Sequence, residues 1–146
     1  MQTGIVAVPI VVGIVYYGSP PLFLLLVAAV TLMGVREYFT IIDRIGISGF
    51  PIHGIILSLL LLLSFYFNGS FMMEWGLIAS VTLFAAWFFH EDNVNVAMDQ
   101  ISFTLFGVLY VAGLGVYYLL IRNYGDGERL IFFLLLIVWL GDIAAY

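Results

Sequence analysis

The sequence predicts an all-α, polytopic integral membrane protein of about six transmembrane helices. Three observations carry this. Of the 146 residues, 64% are hydrophobic and only 9% are charged, against roughly 25% charged in an ordinary soluble domain. The mean hydropathy is +1.19. The apolar residues also come in long runs broken by short polar or Gly/Pro-bearing turns, as expected of helices that satisfy their own backbone hydrogen bonds inside lipid.

The rest of the composition excludes several function classes. The formal net charge is −5, with four Arg and no Lys. That leaves no basic patch for nucleic acid and no polybasic cluster for anionic headgroups. There is no Cys, so disulfides, thiol catalysis and Cys-ligated zinc are excluded. The chain also lacks a P-loop, a dinucleotide-binding glycine fingerprint, an H-E-x-x-H helix and a G-x-S-x-G elbow.

The first predicted segment covers about Thr3–Tyr17, without a charge and with Pro9 inside. It is short against the ~20 residues of a full span. A signal peptide would carry a positive n-region, so this stretch reads as a membrane segment. Gly18-Ser19-Pro20-Pro21 is a turn, its prolines suited to the first turn of the next helix. The second segment, about Pro21–Phe39, ends in Arg36-Glu37-Tyr38-Phe39, and Thr40–Pro51 reads as a loop holding Asp43 and Arg44. The third, about Ile52–Phe67, is followed by Asn68-Gly69-Ser70, a turn and a chance-level N-x-S sequon. The fourth, about Met72–Phe89, places Gly76 and Ser80 four apart, a small-xxx-small spacing that allows close helix packing. A polar stretch from His90 to Gln100 reads as a loop. The fifth, about Ile101–Ile121, carries Gly107, Gly113 and Gly115 as expected packing contacts. Arg122 to Arg129 reads as a polar turn. Six alternating spans put two Arg on each face, so the positive-inside rule does not choose an orientation.

The sixth segment, Leu130–Tyr146, carries the sharpest signal. Eleven apolar residues run unbroken from Leu130 to Leu140, and Asp142 follows Gly141. At ~1.5 Å per residue, Asp142 lies roughly 18 Å into a helix begun at Leu130, within the ~30 Å of a bilayer core. An ionisable group at such depth costs about 2.5–3.5 kcal/mol on insertion scales and by default marks function. The alternative is an interfacial acid, solvated or paired with an Arg. Trp139 and Tyr146 share the Asp142 face by spacing, and Gly141 with Ala145 suggests tight packing there. The other polar positions have weaker claims. Arg36 and Glu37 could meet a lipid headgroup or simply end a helix. His90, Glu91 and Asp92 are adjacent, a spacing that does not converge on a metal, and His53 stands alone near a helix start.

The stretch Val138-Trp139-Leu140-Gly141-Asp142-Ile143-Ala144-Ala145-Tyr146 resembles the V-W-x-x-D-x-x-A-Y segment of phosphatidate cytidylyltransferases, the CDP-diacylglycerol synthases. Val138, Trp139, Asp142, Ala145 and Tyr146 match it. The resemblance extends loosely to the Pro9 helix, the Gly18–Pro21 turn, Glu37, and the Gly107–Gly115 helix that leads to an Arg. It covers residues 1–146 as the N-terminal transmembrane half of such an enzyme. The family's Ser-Pro-Lys-Lys-Thr-type segment and its Lys/Asp-rich catalytic signature are not in this sequence.

The resemblance implies transfer of a cytidylyl group from CTP to phosphatidate, giving CDP-diacylglycerol and pyrophosphate. It implies Asp142 as catalytic residue and Mg2+ ligand, Tyr146 as substrate-binding residue, and Mg2+ as cofactor. CTP, phosphatidate and membrane lipid are the implied partners, a homo-oligomer being left open and nucleic acid excluded. The implied location is the cell (inner) membrane with the active-site face cytoplasmic, segment six running from outside to inside. Lacking the basic groups for CTP, the isolated chain is expected to be inactive. Two rival readings remain: a transporter or channel subunit using Asp142 as a proton or cation site, and a structural membrane protein.

Overall fold

The computed structural model describes residues 2–145 apart from 48, 68–73, 75, 77, 79, 82, 83, 86 and 89–92, with side chains from residue 8 onward. Among the described residues every regular element is helical. In order these are α1 (Gln2–Tyr17), α2 (Pro20–Arg44), α3 (Pro51–Tyr66), α4 (Val94–Gly107), a π-helical turn (Val108–Ala112), α5 (Gly113–Arg122) and α6 (Gly127–Ala145). The described residues between 74 and 88 are helical as well. Two stretches, Pro20–Arg44 and Val94–Arg122, are long and apolar enough to cross a membrane. Among the described residues those two meet the length and hydropathy of a span, and the six expected are not shown.

Two boundaries differ from expectation. The α2 helix continues through Arg36 and Glu37 to Arg44, so Thr40–Arg44 is not loop. Its buried residues Val35, Phe39 and Ile42 keep helical spacing past the charges, and that burial holds the last turns in place. Likewise the helix of the fifth segment begins at Val94 rather than Ile101. The Asn93 side chain accepts from the Asn95 N–H, an N-cap that satisfies an otherwise orphaned donor. The His90–Asp92 and Asn68–Ser70 stretches lie outside the described residues.

The chain forms two compact units, one of residues 1–27 with 117–146, the other Ala28–Val116. In the first, α1 packs on α6, and the Tyr16 and Phe132 rings meet edge to face at 5.8 Å. Val15, Phe23, Leu119 and Ile131 are buried there.

In the second unit, Val35, Phe39 and Ile42 form a core against which Tyr38, Ile55, Phe103 and Val111 pack. Three close approaches run along α2. Thr31 sits at Gly115, Gly34 at Val111, and the Tyr38 ring at Gly107. A Cβ on Gly107 would fall inside the Tyr38 ring, and the Tyr38 hydroxyl donates to the Phe103 carbonyl at 2.8 Å. Gly113, by contrast, faces open space. Of the three glycines expected at contacts, two are. Gly76 also has open space beside it, and the Ser80 hydroxyl instead turns back to donate to the Gly76 carbonyl. The start of α3 is tied down by Thr104, whose hydroxyl accepts from the Phe50 N–H at 2.9 Å and donates to the Gln100 carbonyl at 2.7 Å.

The outward surface is apolar. Leu25, Val30, Met33, Leu109, Leu114, Phe133, Leu140 and Ile143 are each more than half exposed. Exposed apolar area marks a surface that meets another apolar medium, a membrane or a partner.

Candidate functional site

Asp142 lies in α6, fifteen residues after its first, at ~22 Å along the axis. It is exposed, as are its neighbours Gly141, Ile143, Ala144 and Ala145. Its carboxylate has no hydrogen bond or ion pair among the described residues. Gly141 has nothing within contact of a would-be Cβ, so the tight packing expected at Gly141 and Ala145 is not found. Trp139 is half-buried, and Tyr146 lies outside the described residues. The last buried position of α6 is Ile131, so its final turns stand free of the unit that anchors its beginning.

That anchor is Arg122, which the sequence presents only as the first residue of a polar turn. Its side chain is 14% exposed. One guanidinium nitrogen donates to the Val15 carbonyl and another to the Gly18 carbonyl at 3.0 Å. The group also lies 5.0 Å above the Phe23 ring and 3.5 Å from the Glu128 carboxylate. Carbonyls at the end of α1 have no partner within their own helix, and the planar guanidinium supplies several donors in a fixed fork. Glycines flank the arrangement. A Cβ on Gly18 would collide with the Ile14 carbonyl, and one on Gly127 with those of Ile121 and Arg122. Arg122 thus joins the end of α1, the start of α2 and the first turn of α6, and so fixes the base of the helix that carries Asp142. A second pair, Arg129 to Asp126 at 3.1 Å, is exposed and contributes little.

No group of three or more His, Asp or Glu suited to a metal ion occurs among the described residues. A closed protein cage for a cation is therefore not formed by them. A single free carboxylate fits the other mode of magnesium binding, in which one or two carboxylates share the ion with substrate phosphates. Asp142, exposed and unpaired, has the chemistry for that part.

The second unit holds an apolar cavity of about 310 Å³, lined among others by Leu57, Leu61, Ser80, Phe84, Leu105 and Val108. It also has a more polar cleft of about 360 Å³, between α2 and the start of α3.

The described residues are all-helical, and two of the helices are apolar and long enough to cross a bilayer, which supports an association with a membrane. The sequence profile of the Cytidylyltransferase family matches the chain over residues 1–146. The chain is a member of that family, one consistent with CDP-diacylglycerol synthases, and the membership supports nucleotidyl transfer with a nucleotide substrate such as CTP. Searches among curated proteins and among solved structures gave no match.

Proposed function

We propose that this chain is the membrane part of a CTP:phosphatidate cytidylyltransferase, working in phospholipid biosynthesis at the cell membrane with its active-site face toward the cytoplasm. The observation that carries the reading is Asp142, a free carboxylate within the otherwise apolar stretch 130–145 of a cytidylyltransferase-family chain. A phosphate oxygen of phosphatidate attacks the α-phosphorus of CTP. The bond from the α-phosphorus to the bridging oxygen breaks, and pyrophosphate leaves with that electron pair. Asp142 would hold a Mg2+ ion through its carboxylate. Such an ion would supply charge neutralisation for the triphosphate during transfer. Tyr146, one turn further by sequence, is the proposed substrate contact. An apolar exterior lets the lipid substrate reach Asp142 from within the bilayer while CTP comes from water.

The chain has no Lys, and one of its four Arg, Arg122, is engaged with backbone carbonyls. Cationic groups for the triphosphate are thus few, and the 146 residues by themselves are expected to be inactive. The test is conversion of labelled CTP and phosphatidate by membranes expressing the full reading frame that contains this chain. CDP-diacylglycerol should form with the parent protein and not with Asp142→Asn at equal expression. No product from the parent, or undiminished product from the variant, refutes the assignment.

A further inference from the structure

The cleft between α2 and α3 carries charge of both signs along one face of α2. Arg36, Thr40 and Asp43 line it from α2, with Phe39 behind them and Pro51 and Ile55 across from them. Arg36 and Asp43 are seven residues apart, two helical turns or ~10 Å, and so lie on one face. Both are exposed. Neither side chain has a hydrogen bond or ion pair among the described residues, and the pair does not close on itself. Their neighbours on the helix, Glu37 and Arg44, do not line the cleft.

The position along α2 gives the cleft its surroundings. Residues 20–35 hold no charge. Arg36 follows at ~24 Å from the start of the helix, close to the edge of a ~30 Å hydrocarbon core. A span that enters the hydrocarbon at Pro20 would bring Arg36 and Asp43 to the level of phospholipid headgroups. A cation alone would suit any phosphate. A cation and an anion on one face, with apolar Phe39, Pro51 and Ile55 beside them, suit a group that carries phosphate and ammonium together.

We propose that this cleft binds the headgroup of a zwitterionic aminophospholipid, its phosphate on Arg36 and its ammonium on Asp43. Charge-assisted hydrogen bonds supply both contacts, and the Thr40 hydroxyl, which donates to the Arg36 carbonyl, keeps acceptor capacity toward the ammonium. The proposal involves neither Asp142 nor the transfer reaction, so its failure would leave the enzymatic reading untouched.

The detergent-solubilised 146-residue chain is titrated with dioleoylphosphatidylethanolamine and with dioleoylphosphatidylglycerol, and bound lipid is counted by native mass spectrometry. The ethanolamine lipid should bind about tenfold more tightly than the glycerol lipid, which lacks the ammonium. Arg36→Gln and Asp43→Asn should each weaken it about tenfold, while Arg36→Lys retains most of it. Soluble glycerophosphoethanolamine should displace the lipid, which distinguishes headgroup recognition from acyl-chain binding. Equal binding of the two lipids, or a variant pair that binds as the parent does, overturns the proposal. Failure of the soluble headgroup to compete overturns it as well. Both substituted side chains are exposed and unpaired, so circular dichroism of the variants should match that of the parent.

Discussion

The Arg122 guanidinium donates to the Gly18 carbonyl at 3.0 Å across 104 positions of sequence. With the Val15 carbonyl, Phe23 and Glu128 it closes a junction from which α6 departs. Removing the cation strands two carbonyls and one carboxylate. Arg122→Gln should lower stability by ~2–3 kcal/mol, the range of lost hydrogen bonds to a charged group. Arg122→Lys should fall between, since an ammonium lacks the fork. Thermal unfolding in detergent, followed by circular dichroism, reads both. A melting temperature equal to the parent's for the Gln variant would remove Arg122 from its role.

Gly107 and Gly113 should respond oppositely to the same change. Gly107→Ala drives a methyl into the Tyr38 ring, an overpacking that costs ~1–3 kcal/mol. Gly113→Ala meets open space and gains ~0.5–1 kcal/mol of helix propensity. Opposite shifts in melting temperature are expected, and shifts of one sign would contradict the packing described.

Thr104 serves two backbone groups at once. Thr104→Val keeps the shape but leaves the Phe50 N–H without its acceptor, at ~1–3 kcal/mol. Thr104→Ser should restore most of the loss. Hydrogen exchange at the start of α3 is the direct measurement, with faster exchange expected in the Val variant alone.

Among the described residues Asp142 makes no hydrogen bond or ion pair. Asp142→Asn should therefore change stability by less than ~0.5 kcal/mol while abolishing CDP-diacylglycerol formation in the full reading frame. Loss of stability together with activity would indicate a structural acid. Ion-gradient-driven flux that disappears in the variant would indicate a transport site.

How much of this was legible in the sequence varied with the range of the interaction. The apolar runs announced the helices, and Pro20 with Pro21 marked the start of α2. Asp142 stood out because lipid does not select for acids. The extensions of α2 to Arg44 and of α4 back to Val94 were hidden by polar residues. Their signal was nevertheless present, in Val35-Phe39-Ile42 and in Ala97 with Thr104, which keep helical spacing and are buried. Arg122 could not be read, since its acceptors lie 104 and 107 positions away. The small pair Gly141 and Ala145 misled, because small residues permit close packing without requiring it.

The π-helical turn at Val108–Ala112 settles a mismatch in counting. Along α2, the residues that meet the opposite helix advance from Thr31 to Tyr38, seven positions. On the opposite side the corresponding advance is from Gly107 to Gly115, eight. At ~100° per residue, seven steps return to within ~20° of the starting face, whereas eight overshoot by ~80°. The wider turn absorbs the surplus residue and brings both glycines back toward α2. A one-residue deletion should therefore be best tolerated inside Val108–Ala112, where it would leave an unbroken α-helix in register. The same deletion just before Gly107, with the wide turn kept, would swing every upstream contact about a quarter-turn out of line.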